Sequence, residues 1–499
     1  MKMEQNVTST PAFIARHGLW TEAQKDAAKE VLDRIEKEGI QMIRLSWPDQ
    51  YGMLRGKSLT VAALKAAFRN GAEVTSGPFN VDIASGFFQD PFGKNSFTGT
   101  ELAGVSNMVM VPDPTTFRVL PWADRTGWLL ADLHLRSGKP FPLAPRSLLK
   151  HAVAELDALG YKINVGLEVE FYLTKIVDPA LEAGDLGGFG VASEPPKVHV
   201  INKGYSYLSE NHLDEADHVL SEIRQHLLAL DLPLLTIEDE LAPGQFEMTF
   251  NILQGVDFAD AMVLFRTAVK QIARRKGYLA SFMCWPGIDN LFPSGWHMHQ
   301  SLADAATGEN LFIPQPGQSL SDVGRAWAGG LLEHGGAASS FTTPTVNGYR
   351  RCRPNSLAPD RVSWAIDNRA AMIRVIANPG DPASRLENRV GEPGANPYLY
   401  LASQIHAGLD GLRRNLDPGD LQENPYSADV PILPQDLSAA LDALEPSSLY
   451  RQAFGDTFFD YWLTLRRFEW QRFVTANADV EARSQGVTAW EHREYFELL

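Results

Sequence analysis

The chain has 499 residues, 44% of them apolar and 21% charged, with a formal net charge of −16. It is long enough for a substantial core and two or more domains, and its acid excess, uncompensated by any basic stretch, excludes nucleic acid and anionic membranes as expected partners. Two cysteines, Cys284 and Cys352, cannot make a disulfide framework or a zinc motif, and no signal-peptide core or membrane-length apolar run stands out, so the expected compartment is the cytoplasm.

In chain order, residues 1–18 read as a loose arm. A helix follows, with Thr21 as N-cap, Gln24 completing a capping box and Gly39 as the stop. Residues 40–47 alternate like a strand, 49–52 turn and 53–59 return, a hairpin; strands near 106–112 and 127–134 complete a small mixed domain over 1–136. The Pro-rich stretch 137–145 is a linker ending at the first position of a new helix, and a second domain over 143–499 follows. Helices at 145–159, 213–230 and 258–276 alternate with strands, and 437–497 reads as mostly helical. The order predicts an α+β fold around a curved sheet.

Three of these strands carry charge where a core strand carries Val or Leu. Glu168 and Glu170 lie two apart within 165–173, His297 and His299 within 293–302, and Arg385, Glu387 and Arg389 within 385–389. Strand side chains alternate faces, so each set shares one face. Unpaired buried charge is very costly, so these faces must be paired, solvated or bound to cations. A fourth acidic stretch, 238–247, turns at Pro243-Gly244, so that Glu240 and Glu247 are expected to face one another across a tight loop. Five carboxylates and His297 then converge, an oxygen-dominated set suited to Mg²⁺ or Mn²⁺ rather than zinc. With an Arg-rich region after residue 350, this fits phosphoryl transfer, which needs positioning and charge neutralisation.

The motifs occur in a fixed order: Gly-x-Glu-x-Glu-Phe at 166–171, Glu-x-x-Pro-Gly-Gln-x-Glu at 240–247 and Ser-Gly-x-His-x-His-x-Ser-Leu at 294–302. Asn-x-Tyr-x-Arg at 347–351, Asn368-Arg369, Arg-x-Glu-x-Arg at 385–389 and Ala-Asn-Pro-Tyr-Leu at 395–399 follow. Over nearly its whole length the chain thus resembles the glutamine synthetase family. The resemblance implies a small N-terminal β-grasp domain, a catalytic domain whose antiparallel strands form a funnel flanked by helices, and a homo-oligomer of stacked rings (dodecamer-type) with sites between neighbouring subunits. It implies ATP, L-glutamate and an amine as substrates, with two or more Mg²⁺ or Mn²⁺. By motif position, Glu170, Glu240 and Glu247 would hold one metal, and Glu168, His297 and Glu387 the other. His299 and Arg385 would contact ATP, Arg369 and Arg374 the transferring phosphoryl group, and Arg351 and Arg389 the glutamate carboxylates. Arg350 and Arg353 are read as flanking surface charge, and Tyr426 as an ordinary packing residue.

The chain departs from the family on the amine side. Thr75 stands where the family has an Asp that binds ammonium, and Leu357 where a Glu helps to deprotonate it. Trp285 replaces a Lys and Phe292 an Asn that contacts glutamate. Ammonium and alkylammonium ions would miss the two acids, whereas an arylamine is neutral near pH 7 and needs an apolar slot. The expected reaction is therefore ATP-dependent ligation of an amine to the γ-carboxylate of glutamate through a γ-glutamyl phosphate, with an arylamine such as aniline first, as in an anilide-forming member. The alternatives are an alkylamine or polyamine ligase, for which Glu73 is a candidate acid, a plain glutamine synthetase and, last, a non-catalytic relative.

Overall fold

The computed structural model describes residues 11–92, 97, 101, 103–479 and 486–499. They fall into two compact units, the first within residues 11–49, 54–79 and 90–147 and the second within 50–53, 80–89 and 148–499.

In the first unit, the expected loose arm is corrected over its later part: Phe13–His17 is a short helix, α1, stopped by Gly18 at φ 62°. Phe13 and Ile14 bury against Val109 and Val111, which gives the segment a reason to fold. Residues 1–10 of that arm lie outside the described residues. Helix α2 (Glu22–Glu38) starts on the full Thr21–Gln24 capping box and ends at left-handed Gly39, as read. Strands β1 (Met42–Pro48) and β2 (Leu54–Thr60) form the hairpin; α3 (Val61–Asn70), β3 (Ala72–Thr75), β4 (Asn107–Val119) and β5 (Thr126–His134) follow. The sheet order is β2-β1-β5-β4-β3, with β1 and β5 parallel and the other pairs antiparallel. Ile43, Leu45 and Trp47 share one face of β1 and are fully buried, as a period of two requires.

Helix α4 (Pro145–Ala158) starts at the expected Pro and belongs to the second unit from residue 148; β6 (Tyr161–Asp178), β7 (Lys197–Val200) and α5 (Glu210–Ala229) follow. Next come β8 (Leu234–Asp239), β9 (Gln245–Phe250), β10 (Leu253–Gln254), α6 (Val256–Arg275), β11 (Tyr278–Ser281) and β12 (Trp296–Asp304). Two helices that the sequence reading passed over, α7 (Asp322–Glu333) and α8 (Gly335–Thr342), precede β13 (Trp364–Ile366), β14 (Ile373–Ile376) and β15 (Arg385–Asn388). Helices α9 (Pro397–Arg414), α10 (Leu437–Leu444), α11 (Ser448–Ala476) and α12 (Ala489–Tyr495) make the C-terminal part helical. No helix among the described residues is long and apolar enough to cross a membrane.

The ten-stranded sheet runs β13-β14-β15-β12-β6-β9-β8, with β7, β10 and β11 also on β6. Every pairing is antiparallel except β13 with β14. Long β6 organises it through strict alternation. Ile163, Val165, Leu167, Val169 and Phe171 are all at most 2% exposed, and Phe171 stacks on Phe282 and meets Phe265 of α6 edge-on. Trp296 and Met298 of β12, Phe246 and Met248 of β9, and Leu386 of β15 are buried to the same degree. With the apolar residues of each strand turned to the helices, the intervening Glu and His residues must point to the opposite face.

Candidate active site

That opposite face gathers the charged ladders. Antiparallel register sets His297 opposite Glu168, Glu170 opposite Glu247, and His299 opposite Glu387. Glu168 is the hub: its Oε1 lies 2.6 Å from His297 Nδ1 and its Oε2 lies 2.8 Å from His299 Nε2. Arg351 Nη2 approaches His297 Nε2 at 3.0 Å. A guanidinium has no lone pair to offer, so Nε2 accepts and the proton sits on Nδ1, facing Glu168. Burial and then Arg389 hold His297 down to about 4, hence neutral. A Cβ at Gly295 would meet both Arg351 and His297, which explains a glycine there.

The carboxylates divide electrostatically. Burial opposes ionisation of Glu168, but hydrogen bonds from His297 and His299 win and keep it well below the usual range. Burial likewise works against Glu387, and Arg389, followed by the two histidines, keeps it charged. Arg389 bonds Glu387 Oε1 and Arg374 Nη1 bonds its Oε2 at 2.9 Å. Three other acids go the opposite way. Burial, only partly offset by Arg351, pushes Glu170 up to about 7; burial and then Glu170 push Glu240 up to about 8; burial followed by Glu168, Glu170 and Glu240 pushes Glu247 up to about 10. Two like charges 4 Å apart repel by about 4 kcal/mol at an effective dielectric of 20, so such a set stays ionised only around a cation.

Donor chemistry therefore fits divalent metals. Ligand-capable atoms of Glu168, Glu247 and His297 lie within 4.8 Å of one another, as do those of Glu168, His299 and Glu387. The expected face-to-face placement of Glu240 and Glu247 is corrected: the β8–β9 register puts Glu238 opposite Glu247. Glu240 lies just past β8, its N–H donating to Gln245 O at 3.0 Å, so it is diagonal to Glu247. The reason is the turn: Gln245 N–H donates to Ala242 O at 3.0 Å, so the chain reverses one residue earlier than the motif suggests.

Beside the acids, His299 and Arg385, joined by an Arg385 Nε–His299 Nδ1 bond of 3.1 Å, line a cavity of about 300 Å³ together with Gly166, Phe250, Ser301 and Ser384. The family model for the glutamine synthetase catalytic domain matches residues 142–485. The chain belongs to the glutamine synthetase family. It is 58% identical over 494 residues to the γ-glutamylanilide synthase of Acinetobacter sp, covering 98% of this chain and 99% of that one. It is 31% identical over 489 residues to a glutamine synthetase of Methanosarcina mazei, covering 94% and 98%. A solved GmaS/ADP complex aligns with a TM-score of 0.73 at 27% identity, over 93% of this chain and 98% of the other.

Around this glutamine synthetase-type centre the remaining predicted residues separate. Arg351 is buried and donates from Nη1 to Arg389 O at 2.8 Å. Arg389 also reaches Leu357 O at 3.3 Å and Arg369 O at 3.0 Å. Arg374 is held by Asp367, at 2.6 Å from Nη2, as well as by Glu387. Leu357 sits at φ 60° with 59% of its surface exposed. Phe292 packs on Tyr172, whose hydroxyl bonds both its N–H and its carbonyl. Trp285 donates from Nε1 to Leu291 O at 3.0 Å, and Arg353 lies over its ring. Tyr426 donates to Ala358 O at 3.1 Å. Thr75 belongs to the first unit, where its hydroxyl donates to Val105 O at 3.0 Å. Arg350 is not surface charge: it makes a two-pronged pair, 2.6 and 2.7 Å, with fully buried Glu491.

Two supporting residues escaped the sequence reading. Gln245 donates to Glu170 Oε2 at 3.1 Å and to Ser294 Oγ at 2.9 Å, orienting the carboxylate. Asp367 anchors Arg374. The polar residue inside Pro-Gly-Gln-x-Glu was a usable signal for Gln245; Asp367, in a loop, had none.

Proposed function

We propose that this chain is an ATP-dependent ligase that joins an arylamine, aniline first, to the γ-carboxylate of L-glutamate. The observation that carries the reading is the 58% identity to a γ-glutamylanilide synthase along nearly the whole chain, with exposed Leu357 beside Arg389. A glutamate γ-oxygen attacks the γ-phosphorus of ATP, ADP leaves and an acyl phosphate forms. The amine nitrogen then attacks the acyl carbon, the C–O bond to phosphate breaks with its electron pair leaving on inorganic phosphate, and that phosphate takes the proton the acylated nitrogen gives up. Arg351 and Arg389 would hold the glutamate carboxylates, His299 and Arg385 the nucleotide, and Arg369 and Arg374 the charge that builds on the phosphoryl group.

Glu170, Glu240 and Glu247 would hold one Mg²⁺ or Mn²⁺, and Glu168, His297 and Glu387 the second. Bound there, such ions supply charge neutralisation at the phosphates. Thr75, Leu357, Trp285 and Phe292 would border the amine slot of a ring-forming homo-oligomer. The polyamine alternative loses ground because Glu73 is already engaged, by Arg136 at 2.9 Å and Asn107 at 3.0 Å. The test is ATP turnover with glutamate against aniline, ethylamine, putrescine and ammonium. ADP and phosphate should form fastest with aniline; AMP and pyrophosphate as products, or a preference for ammonium, would overturn the reading.

A further inference from the structure

The chain carries a net charge of −16 and lines its site with carboxylates. Such a field draws cations in, and ammonia and alkylamines are cations at neutral pH whereas aniline is not. Thr75 and Leu357 remove attraction without adding repulsion, so a positive charge beside the slot would sharpen the preference for a neutral amine.

Arg353 supplies that charge, and it links two residues assigned to the slot. Its main chain belongs to the turn that presents Leu357. Ser356, next to Leu357, accepts the Arg353 N–H at 3.4 Å, and the Ser356 hydroxyl lies 2.6 Å from Arg353 O. Arg389 holds the far end of the turn through Leu357 O at 3.3 Å. The Arg353 side chain lies over Trp285, its guanidinium carbon 5.2 Å from the ring centroid and so within cation–π range. Trp285 is a fixed support: Asn347 accepts its N–H at 2.7 Å and donates to its carbonyl at 3.1 Å, while Leu291 O accepts from the indole at 3.0 Å.

The neighbouring Arg350 makes the contrast, because its charge is spent on buried Glu491. Arg353 is exposed, and among the described residues its guanidinium has no hydrogen-bond or ion-pair partner. Stacking on an indole fixes the position of the guanidinium without cancelling its charge.

We propose that Arg353 is a charge filter for the amine, a specificity residue that turns ammonium and alkylammonium ions away from the slot at Leu357 and Trp285 and lets the uncharged arylamine pass. The inference rests on the arylamine reading above and adds a repulsive element to it, since specificity is gained as much by rejecting the wrong ligand as by holding the right one. A unit charge roughly 8 Å from an approaching ammonium ion, in a dielectric near that of water, lowers its occupancy about two- to threefold, and by more where water is excluded.

The experiment has two stages, both on the full chain. First, the unmodified enzyme is assayed with aniline, ethylamine and ammonium; if aniline is not preferred, the arylamine reading fails and the filter with it. Second, with that preference established, Arg353→Lys, Arg353→Gln and Arg353→Glu are compared by kcat/KM at low ionic strength and at about 0.15 M, where the Debye length is about 8 Å. Expected for ethylamine and ammonium are a rise of at least about fivefold in Glu, about twofold in Gln and parental values in Lys. The gain should shrink at the higher salt, and aniline should stay within about twofold throughout. Thermal melting checks that each variant folds; if Glu does not, the difference between Gln and Lys decides. A Glu variant whose ethylamine turnover does not rise overturns the proposal and leaves the arylamine reading standing. So does a Lys variant as permissive as Gln, which would assign the effect to the stacked guanidinium, or a parallel rise for aniline, which would assign it to space rather than charge.

Discussion

Glu168 and His297 face one another across the β6–β12 ladder, and the carboxylate accepts the imidazole proton at 2.6 Å. Glu247, equally buried in acids, has neighbours that only repel it. Removing each acid should therefore act oppositely on the metal-free protein. Glu168→Ala strands the N–H of a buried histidine and should destabilise by about 1–3 kcal/mol. Glu247→Gln removes a carboxyl that resists ionisation and should leave the melting temperature in chelator unchanged or raised. Both should lose metal-induced stabilisation and lower kcat/KM by on the order of 100-fold at saturating Mg²⁺ or Mn²⁺. A Glu247→Gln protein that melts well below the parent in chelator, or turns over normally with metal, would contradict the assignment.

Glu392 gives a pH dependence away from the acids. It is 1% exposed and accepts the N–H and the hydroxyl of Thr345, both at 2.7 Å. Burial outweighs those bonds and pushes it from 4.5 up to about 7. Below pH 4.5 folded and unfolded chains both hold the proton, so nothing is lost. Between 4.5 and 7 the unfolded chain sheds it first, so this carboxyl lowers stability as pH rises, by at most roughly 3 kcal/mol, and the loss is complete above 7. Glu392→Gln should flatten the fall in melting temperature between pH 5 and 8. Parallel curves for the two proteins would rule this out.

The parts of the molecule that follow from local rules were readable in the sequence, and those set by distant partners were not. Thr21, Gln24 and Gly39 bound α2 through contacts three residues apart, and the period of two placed Glu168, Glu170, His297 and His299 on one face before any pairing was known. Glu240 was misplaced because register depends on where the Gly244 turn closes, a backbone property the motif does not encode. Arg350 looked like surface charge because Glu491 lies 141 residues away in sequence.

Two arginines test that distinction between site and scaffold. The Arg369 side chain is exposed and, among the described residues, has no hydrogen-bond or ion-pair partner, whereas Arg350 clasps buried Glu491. Arg369→Ala should leave the melting temperature nearly unchanged and cut kcat by roughly 100-fold, because a freed guanidinium serves the transition state rather than the fold. Arg350→Ala should destabilise by about 3–5 kcal/mol by taking the counter-ion from buried Glu491. Thermal melting alongside steady-state kinetics checks both; a large loss of stability in Arg369→Ala would give it a structural role instead.

Leu357 carries the sharpest prediction about the amine. Its carbonyl accepts from Arg389 at 3.3 Å while its side chain projects into solvent from a left-handed backbone position. Glu suffers the same φ no worse than Leu, so Leu357→Glu should fold. The new carboxylate returns a group that can attract an ammonium ion and take its proton, a role worth about 10²–10⁴ in favourable geometry. The same carboxylate would have to be desolvated against a neutral aniline ring, which costs binding. The ratio of kcat/KM for aniline to that for ammonium should fall by at least roughly 100-fold, with the ammonium value rising and the aniline value dropping. Competition assays at a fixed glutamate and ATP concentration measure it directly. A variant that loses activity with both amines in proportion would show that Leu357 shapes the site as a whole, and the amine selectivity would then have to come from elsewhere.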